Sequence, residues 1–248
     1  MVSNTPSWFQ RVRRDQIFWL VVVGLLLIYA FSRLNVVSFL LTAVALILAN
    51  TGPECAHAWV ADRLGDPTAR YLGRVSLNPL VHLDPVGTAM MLVTAFTGIG
   101  IGWGKPVPIS PHRLRYGQRL GSGLVALAGP LANLVLAALC GLALRLAGSR
   151  SAALAMVLSA IVVTNIVIAM FNLLPLPPLD GHSVLLGLLS LLRSEWAWRV
   201  ADFVQSWQRL GPMFLILLIV FSQFLGINIL GWWIGPPLRF FYRLFVGL

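Results

Sequence analysis

Residues 50–58 read Asn50-Thr51-Gly52-Pro53-Glu54-Cys55-Ala56-His57-Ala58, inside an apolar run that covers residues 37–62. Glu54 and His57 are three apart, so on a helix they share a face. How the chain folds depends on whether that run is a soluble core helix or a membrane span. Composition decides it. Of the 248 residues, 58% are hydrophobic and 10% are charged, with a mean hydropathy of +0.84. A soluble domain has no use for that much apolar surface, so the chain is read as an all-α polytopic membrane protein. An ionisable pair inside a span is expensive and marks a functional site by default. The alternative reading is a Glu–His pair near the interface that satisfies itself.

Working outward, runs long enough to approach a span of about 20 residues fall at 17–33, 37–62, 86–101, 122–147, 152–175 and 212–234. The run 183–192 is too short to cross alone. This predicts five to six transmembrane helices in a single integral-membrane domain over 1–248, with no internal repeat and no soluble appendage. The first 16 residues are polar and basic, and no small-residue cleavage site follows the first apolar run, so 17–33 is expected to be an uncleaved span.

Arg11, Arg13 and Arg14 place the N-terminus in the cytoplasm, and seven basic residues between Arg63 and Arg119 keep region 63–121 there as well. A crossing at 86–101 would carry Lys105 and the arginines after it outside. A re-entrant, membrane-embedded hairpin around 86–108 fits better. Spans 122–147 and 152–175 then exit and return, and span 212–234 exits again. The ends of 37–62 and 152–175 therefore share the cytoplasmic side. The formal charge of +10 is spread over short loops, which argues against nucleic acid as a partner. Cys55 and Cys140 sit in apolar segments without metal or disulfide spacing and are read as packing residues.

Several stretches carry further chemistry. Residues 172–182 read NLLPLPPLDGH. Three prolines hold the chain extended ahead of Asp180, which is either a metal ligand or an ordinary turn aspartate. Upstream lie GDPTAR (65–70), GRVSLNPLVHLDPVG (73–87), GKPVP (104–108) and AGPLAN (128–133). Glu54 and His57 match two positions of H-E-x-x-H, in which histidines at i and i+4 bind zinc and the glutamate is general base.

Taken in this order and spacing, from about Ala49 to Gly181, these motifs resemble the site-2 protease family, the intramembrane zinc metalloproteases, in its compact bacterial form without a PDZ domain. The resemblance implies a protease-like core over about 37–182 with flanking helices 17–33 and 212–234. It implies zinc as cofactor, transmembrane proteins as substrates, and a multi-pass location in the plasma membrane. By the same resemblance Glu54 is the general base, and His57 and Asp180 are zinc ligands. Asn133 and Asn172 stabilise a substrate carbonyl or, for Asn133, bond between helices. Lys105, Pro106 and Val107 belong to an embedded loop that meets substrate as an extended strand.

One position departs from the pattern. Pro53 stands where the first zinc-binding histidine belongs, and proline offers no donor, whereas catalytic zinc normally has three protein ligands. Asn50 is a poor zinc ligand, Cys55 points to the other side of a regular helix, and His82 already has its own place in the motif. His182 is the remaining candidate; Glu54 could ligate only by giving up its role as base. A proline inside a helix costs about 3 kcal/mol or more, and Asn50-Thr51-Gly52 suits a break. The helix is therefore expected to bend or restart at Pro53, with Glu54 in a first turn. Three readings follow: a catalytically inactive client-binding scaffold, an active protease with an unusual ligand set, or a single-base variant at Pro53. A small transporter, the rival of another class, is disfavoured because no two-half repeat is present.

Overall fold

The computed structural model describes residues 35–97, 103–147, 151–192, 194–224 and 228–247. The expected span 17–33 lies outside them. The chain divides into two compact units, Met1–Leu40 and Leu41–Leu248, and apart from the first residues of the first helix those discussed below fall in the second. Among the described residues the secondary structure is helical. The one departure is an isolated antiparallel bridge between Leu83 and Gly104.

Among the described residues three helices are long and apolar enough to cross a membrane: α1 (Val36–Arg63), and two that follow a short α2 (Thr68–Tyr71) and α3 (Pro85–Thr97), namely α4 (Gln118–Ala147) and α5 (Ala152–Asn172). These match the expected spans 37–62, 122–147 and 152–175. Helix α3 has 13 residues, about 20 Å, which is too short for a hydrocarbon core of about 30 Å. The bridge between Leu83 and Gly104 brings the chain back beside the point where α3 began. A short α3 followed by a return to Leu83 is compatible with the re-entrant hairpin expected around 86–108.

Two expectations are corrected. Helix α1 does not restart at Pro53; it runs unbroken from Val36 to Arg63 with Pro53 inside it. Glu54 is therefore in mid-helix, not in a first turn. The proline removes one N–H bond, and the surrounding fold holds the helix through the gap, with Pro53 itself buried. Its other buried positions are mostly small (Ala45, Ala49, Ala58 and Ala61), as expected where helices approach closely in a membrane. The second correction concerns the expected span 212–234. It is not one helix but two, α8 (Gly211–Phe224) and α9 (Ile229–Val246), after α6 (Asp180–Leu191) and α7 (Glu195–Ser206). The Asn228 side chain accepts from the Gly231 N–H at 2.7 Å and caps the start of α9. Helix α9 then continues through Pro236 and Pro237.

The core lies between α4, α5 and α9, where Ala137, Val162, Ile166, Ala169, Met170 and Val246 are buried together. A second contact sets α6. It crosses α4 so closely that a Cβ on Gly123 would lie 2.9 Å from the Ser183 carbonyl oxygen and 3.0 Å from the Gly187 Cα. Small residues at both sides of this crossing fix the distance between α4 and the residues that open α6. Helix α7 then covers the far side of α6 through Leu186, Leu189 and Ala201.

Gly123→Leu is expected to lower stability by about 1–3 kcal/mol, the usual cost of overpacking. It should also push α6 off α4. Denaturant unfolding in detergent followed by circular dichroism measures the first effect. A wild-type midpoint in the variant would show that the crossing is not close.

Candidate metal centre

The site is built on two loops that are tied together before any catalytic-type side chain is placed. Asp66, fully buried, accepts from the Ser110 N–H at 2.5 Å and from the Thr68 hydroxyl and N–H at 2.5 and 3.2 Å. Burial alone would raise its pKa. The donors from Ser110 and Thr68 outweigh burial and hold the carboxyl below the usual carboxylate range. Arg74, also buried, donates to the carbonyl oxygens of Val81, Lys105 (3.3 Å) and Pro106 (3.2 Å). His82 is fully buried; its Nε2–H donates to the Ser76 carbonyl oxygen at 2.7 Å, and its own carbonyl accepts from the Lys105 N–H at 2.7 Å. Burial holds the pKa of this ring below the ordinary histidine value. Asp66, Arg74 and His82 are therefore braces, and their work is to fix the extended segment that carries Lys105, Pro106 and Val107.

Glu54 meets that segment from α1. Its carboxylate faces the Val107 backbone and lies within electrostatic range of His57, Asp180 and Arg74. His57, one turn on, donates Nδ1–H to the Val125 carbonyl oxygen of α4 at 2.7 Å. A carbonyl can only accept, so this bond fixes the tautomer and turns the Nε2 lone pair outward. Nε2 lies 3.4 Å from Asp180 Oδ2. Asp180 is the first residue of α6, not a turn residue, and that end of a helix favours a carboxylate. Gly181 lets α6 begin directly against the end of α5, since a Cβ there would lie 2.3 Å from the carbonyl oxygens of Leu173 and Leu174. Gly129 of α4 leaves the space in which the pair meets: a Cβ at 129 would lie 2.3 Å from His57 Nε2 and 3.3 Å from Asp180 Oδ2.

This geometry can be tested against zinc. Two donors bound to one tetrahedral zinc at about 2.0–2.1 Å sit about 3.3 Å apart. The His57–Asp180 distance of 3.4 Å matches one edge of that tetrahedron. A carbonyl partner on the other ring nitrogen is the usual support of a metal-binding histidine. The set then stops. Among the described residues no group of three His, Cys, Asp or Glu side chains could hold a metal ion. His182 does not complete it: two residues from Asp180 is about 200° around the helix, and neither of its buried ring nitrogens has a partner. The donors present supply two corners of a zinc site and fall short of the three-ligand catalytic set.

Of the other sequence candidates, Asn172 is the last residue of α5 and half-buried. Asn133 is fully buried on α4, one turn beyond Gly129. Both atoms of its amide lack a hydrogen-bond partner, so it makes no bond between helices. Lys105 and Pro106 are exposed, and Val107 is half-buried. Sequence reasoning gave no role to Arg74 or Gly129. Arg74 was visible as the one arginine of the motif over 73–87. Gly129 gave no signal, since its importance is the absence of a side chain opposite a residue distant in sequence.

The chain was also compared with known proteins. The model of the peptidase family M50 matches residues 142–218. A Bacillus subtilis protein named "Putative zinc metalloprotease YwhC" is 39% identical over 150 residues, covering 57% of this chain and 66% of that protein. A Mycolicibacterium smegmatis protein named "Putative zinc metalloprotease Rip2" is 31% identical over 188 residues, 71% of each chain. Its Mycobacterium tuberculosis namesake is 33% identical over 136 residues, covering 53% of this chain and 51% of its own. The chain thus spans between 51% and 71% of the relatives it matches. No solved structure matches it.

Two outcomes test this site. Gly129→Ala, made in a Pro53→His background that supplies the missing donor, is expected to separate His57 from Asp180 while leaving the helices in place, read as loss of Zn²⁺ or Co²⁺ binding with unchanged circular dichroism. Asp66→Asn is expected to destabilise the protein at neutral pH. The folded pKa of Asp66 lies below its unfolded value of about 3.9, so its contribution is present above that pH and is lost as pH falls through the folded value. The gap between variant and wild type should therefore be constant down to about pH 4 and close only in stronger acid. A gap that closes near pH 6 would contradict the assignment.

Proposed function

The chain belongs to the peptidase family M50, the site-2 proteases, and from that premise we propose that it binds transmembrane client proteins as a family member whose hydrolytic step is disabled at Pro53. The observation that carries this reading is the donor set: His57 and Asp180 stand at a zinc edge, and position 53, one turn before His57 on the same unbroken helix, holds a proline. A metal held by two side chains is weakly bound, and no hydrolytic step is routed through it.

What the chain keeps is the client-handling part. A helical peptide bond is shielded by its own backbone bonds, so a client segment must be extended to be engaged. Residues 105–107 offer an extended stretch, fixed by Arg74, whose exposed Lys105 and Pro106 an extended client segment can lie against. The Asn133 amide, buried and unpartnered one turn from Gly129, is a donor for a client carbonyl. The substrate role of Asn172 rests on the family resemblance.

The spacing of His57 and Asp180 favours a second reading, an active protease completed by an unusual third ligand. Zinc fits their separation and the His57 tautomer; bound there, it would polarise a carbonyl and supply an activated water, with Glu54 positioned to take the proton.

Zinc per chain in detergent-purified protein separates the two. The expected result is well under one equivalent for the native chain and about one for Pro53→His, lost again in Pro53→His/Asp180→Ala. A native chain that carries about one zinc, and loses it on Asp180→Ala, would overturn the scaffold reading in favour of the protease.

A further inference from the structure

Among the described residues, the far end of the helix bundle carries positive charge with no aspartate or glutamate on the helices that form it. Helix α9 packs one face along α4 and α5, through Ile234, Leu238, Phe241, Tyr242 and Phe245. Its direction is fixed at both ends. The Trp233 Nε1–H donates to the Met170 carbonyl oxygen near the end of α5, and Phe245 lies against Gly141 near the end of α4. Helix α9 therefore runs parallel to α4, away from the Glu54 end. Arg145 in the last turn of α4 donates to the carbonyl oxygens of Arg243 (3.3 Å) and Leu244. It stands about 24 Å along α4 from Gly129, at about 1.5 Å per residue.

The outer face of α9 is exposed and consists of Trp232, Pro236, Arg239, Phe240, Arg243 and Leu244. Five of these, Pro236, Arg239, Phe240, Arg243 and Leu244, line an open hollow of about 780 Å³. Arg239 and Arg243 are one helical turn apart and project on the same side. Helices α4, α5 and α9 contain no aspartate or glutamate, and no acidic residue follows Asp202 in the sequence. Two guanidinium groups on an exposed, largely apolar helix surface, with no aspartate or glutamate beside them among the described residues, favour an anionic partner from outside the bundle.

We propose that this hollow binds the phosphate of an anionic phospholipid in the leaflet opposite the Glu54–His57 end. Arg239 and Arg243 take the phosphate oxygens, with Arg145 adding positive charge beside them. Phe240, Leu244 and Trp232 flank the acyl chains. A lipid fits better than a soluble anion because the arginines alternate with large apolar side chains on one lipid-facing surface, so a ligand must satisfy both.

The test uses the full chain in detergent, supplemented with dioleoyl phosphatidylglycerol or dioleoyl phosphatidylcholine, with retained lipid counted by native mass spectrometry. The wild type should keep phosphatidylglycerol about tenfold better than phosphatidylcholine. Arg239→Gln/Arg243→Gln should lose that preference, and Arg239→Lys/Arg243→Lys should keep most of it. Should the glutamine pair fail to fold, each single glutamine variant is read in the same way. Equal retention of the two lipids by the wild type, or an unchanged preference in the folded glutamine variants, would overturn the proposal. So would displacement of phosphatidylglycerol by millimolar inorganic phosphate, which would mark a phosphate site indifferent to lipid. None of these outcomes depends on zinc or on Pro53.

Discussion

The meeting of His57 and Asp180 at 3.4 Å is the contact on which the arrangement of this molecule depends. Two ionisable side chains in a membrane-embedded fold must find each other or remain uncompensated, and these two come from helices distant in sequence. Helix α4 is the common support. Its Val125 carbonyl orients the imidazole, its Gly129 leaves room for the pair, and its Gly123 sets how near α6 can come. Gly123 and Gly129 of α4 are therefore part of the site, although neither carries a functional group.

Around that contact the polar residues divide by task. Asp66, Arg74 and His82 look as reactive on paper as Glu54 and His57, yet each is spent on backbone groups. Arg74 holds two successive carbonyls of the 105–107 segment, and His82 holds the opposite loop. Their burial is affordable only because each is hydrogen-bonded. The side chains left with unmet capacity, Asn133 above all, are the ones that a client backbone could satisfy.

Pro53 shows how tertiary packing overrides a local rule. A proline preceded by Asn, Thr and Gly reads as a helix break, yet α1 continues through it, because the small residues along α1 are already packed on both sides of it. The fold therefore tolerates the change at 53 while the site does not. A missing donor cannot be compensated by neighbours whose own positions are fixed by other contacts. The same division runs the length of the bundle. The Glu54 end is dense in paired polar groups, and the Arg145 end is cationic, with no carboxylate beside it among the described residues.

The sequence by itself determined the membrane class, three of the spans and the expectation of a short re-entrant segment. Those follow from the length of apolar runs and from where the arginines fall, which are local properties. It also determined the family, and through that resemblance it put forward Glu54, His57 and Asp180 as the candidate site. It did not determine the course of α1 past Pro53, the split of 212–234 into α8 and α9, or the parts played by Arg74 and Gly129. Each of these is decided by what lies opposite in space. A helix crosses a proline when its neighbours hold it, and a glycine matters when another chain segment needs its volume. An arginine is a brace or a ligand site according to whether carbonyls or lipid surround it. Only the tertiary structure brings those partners together.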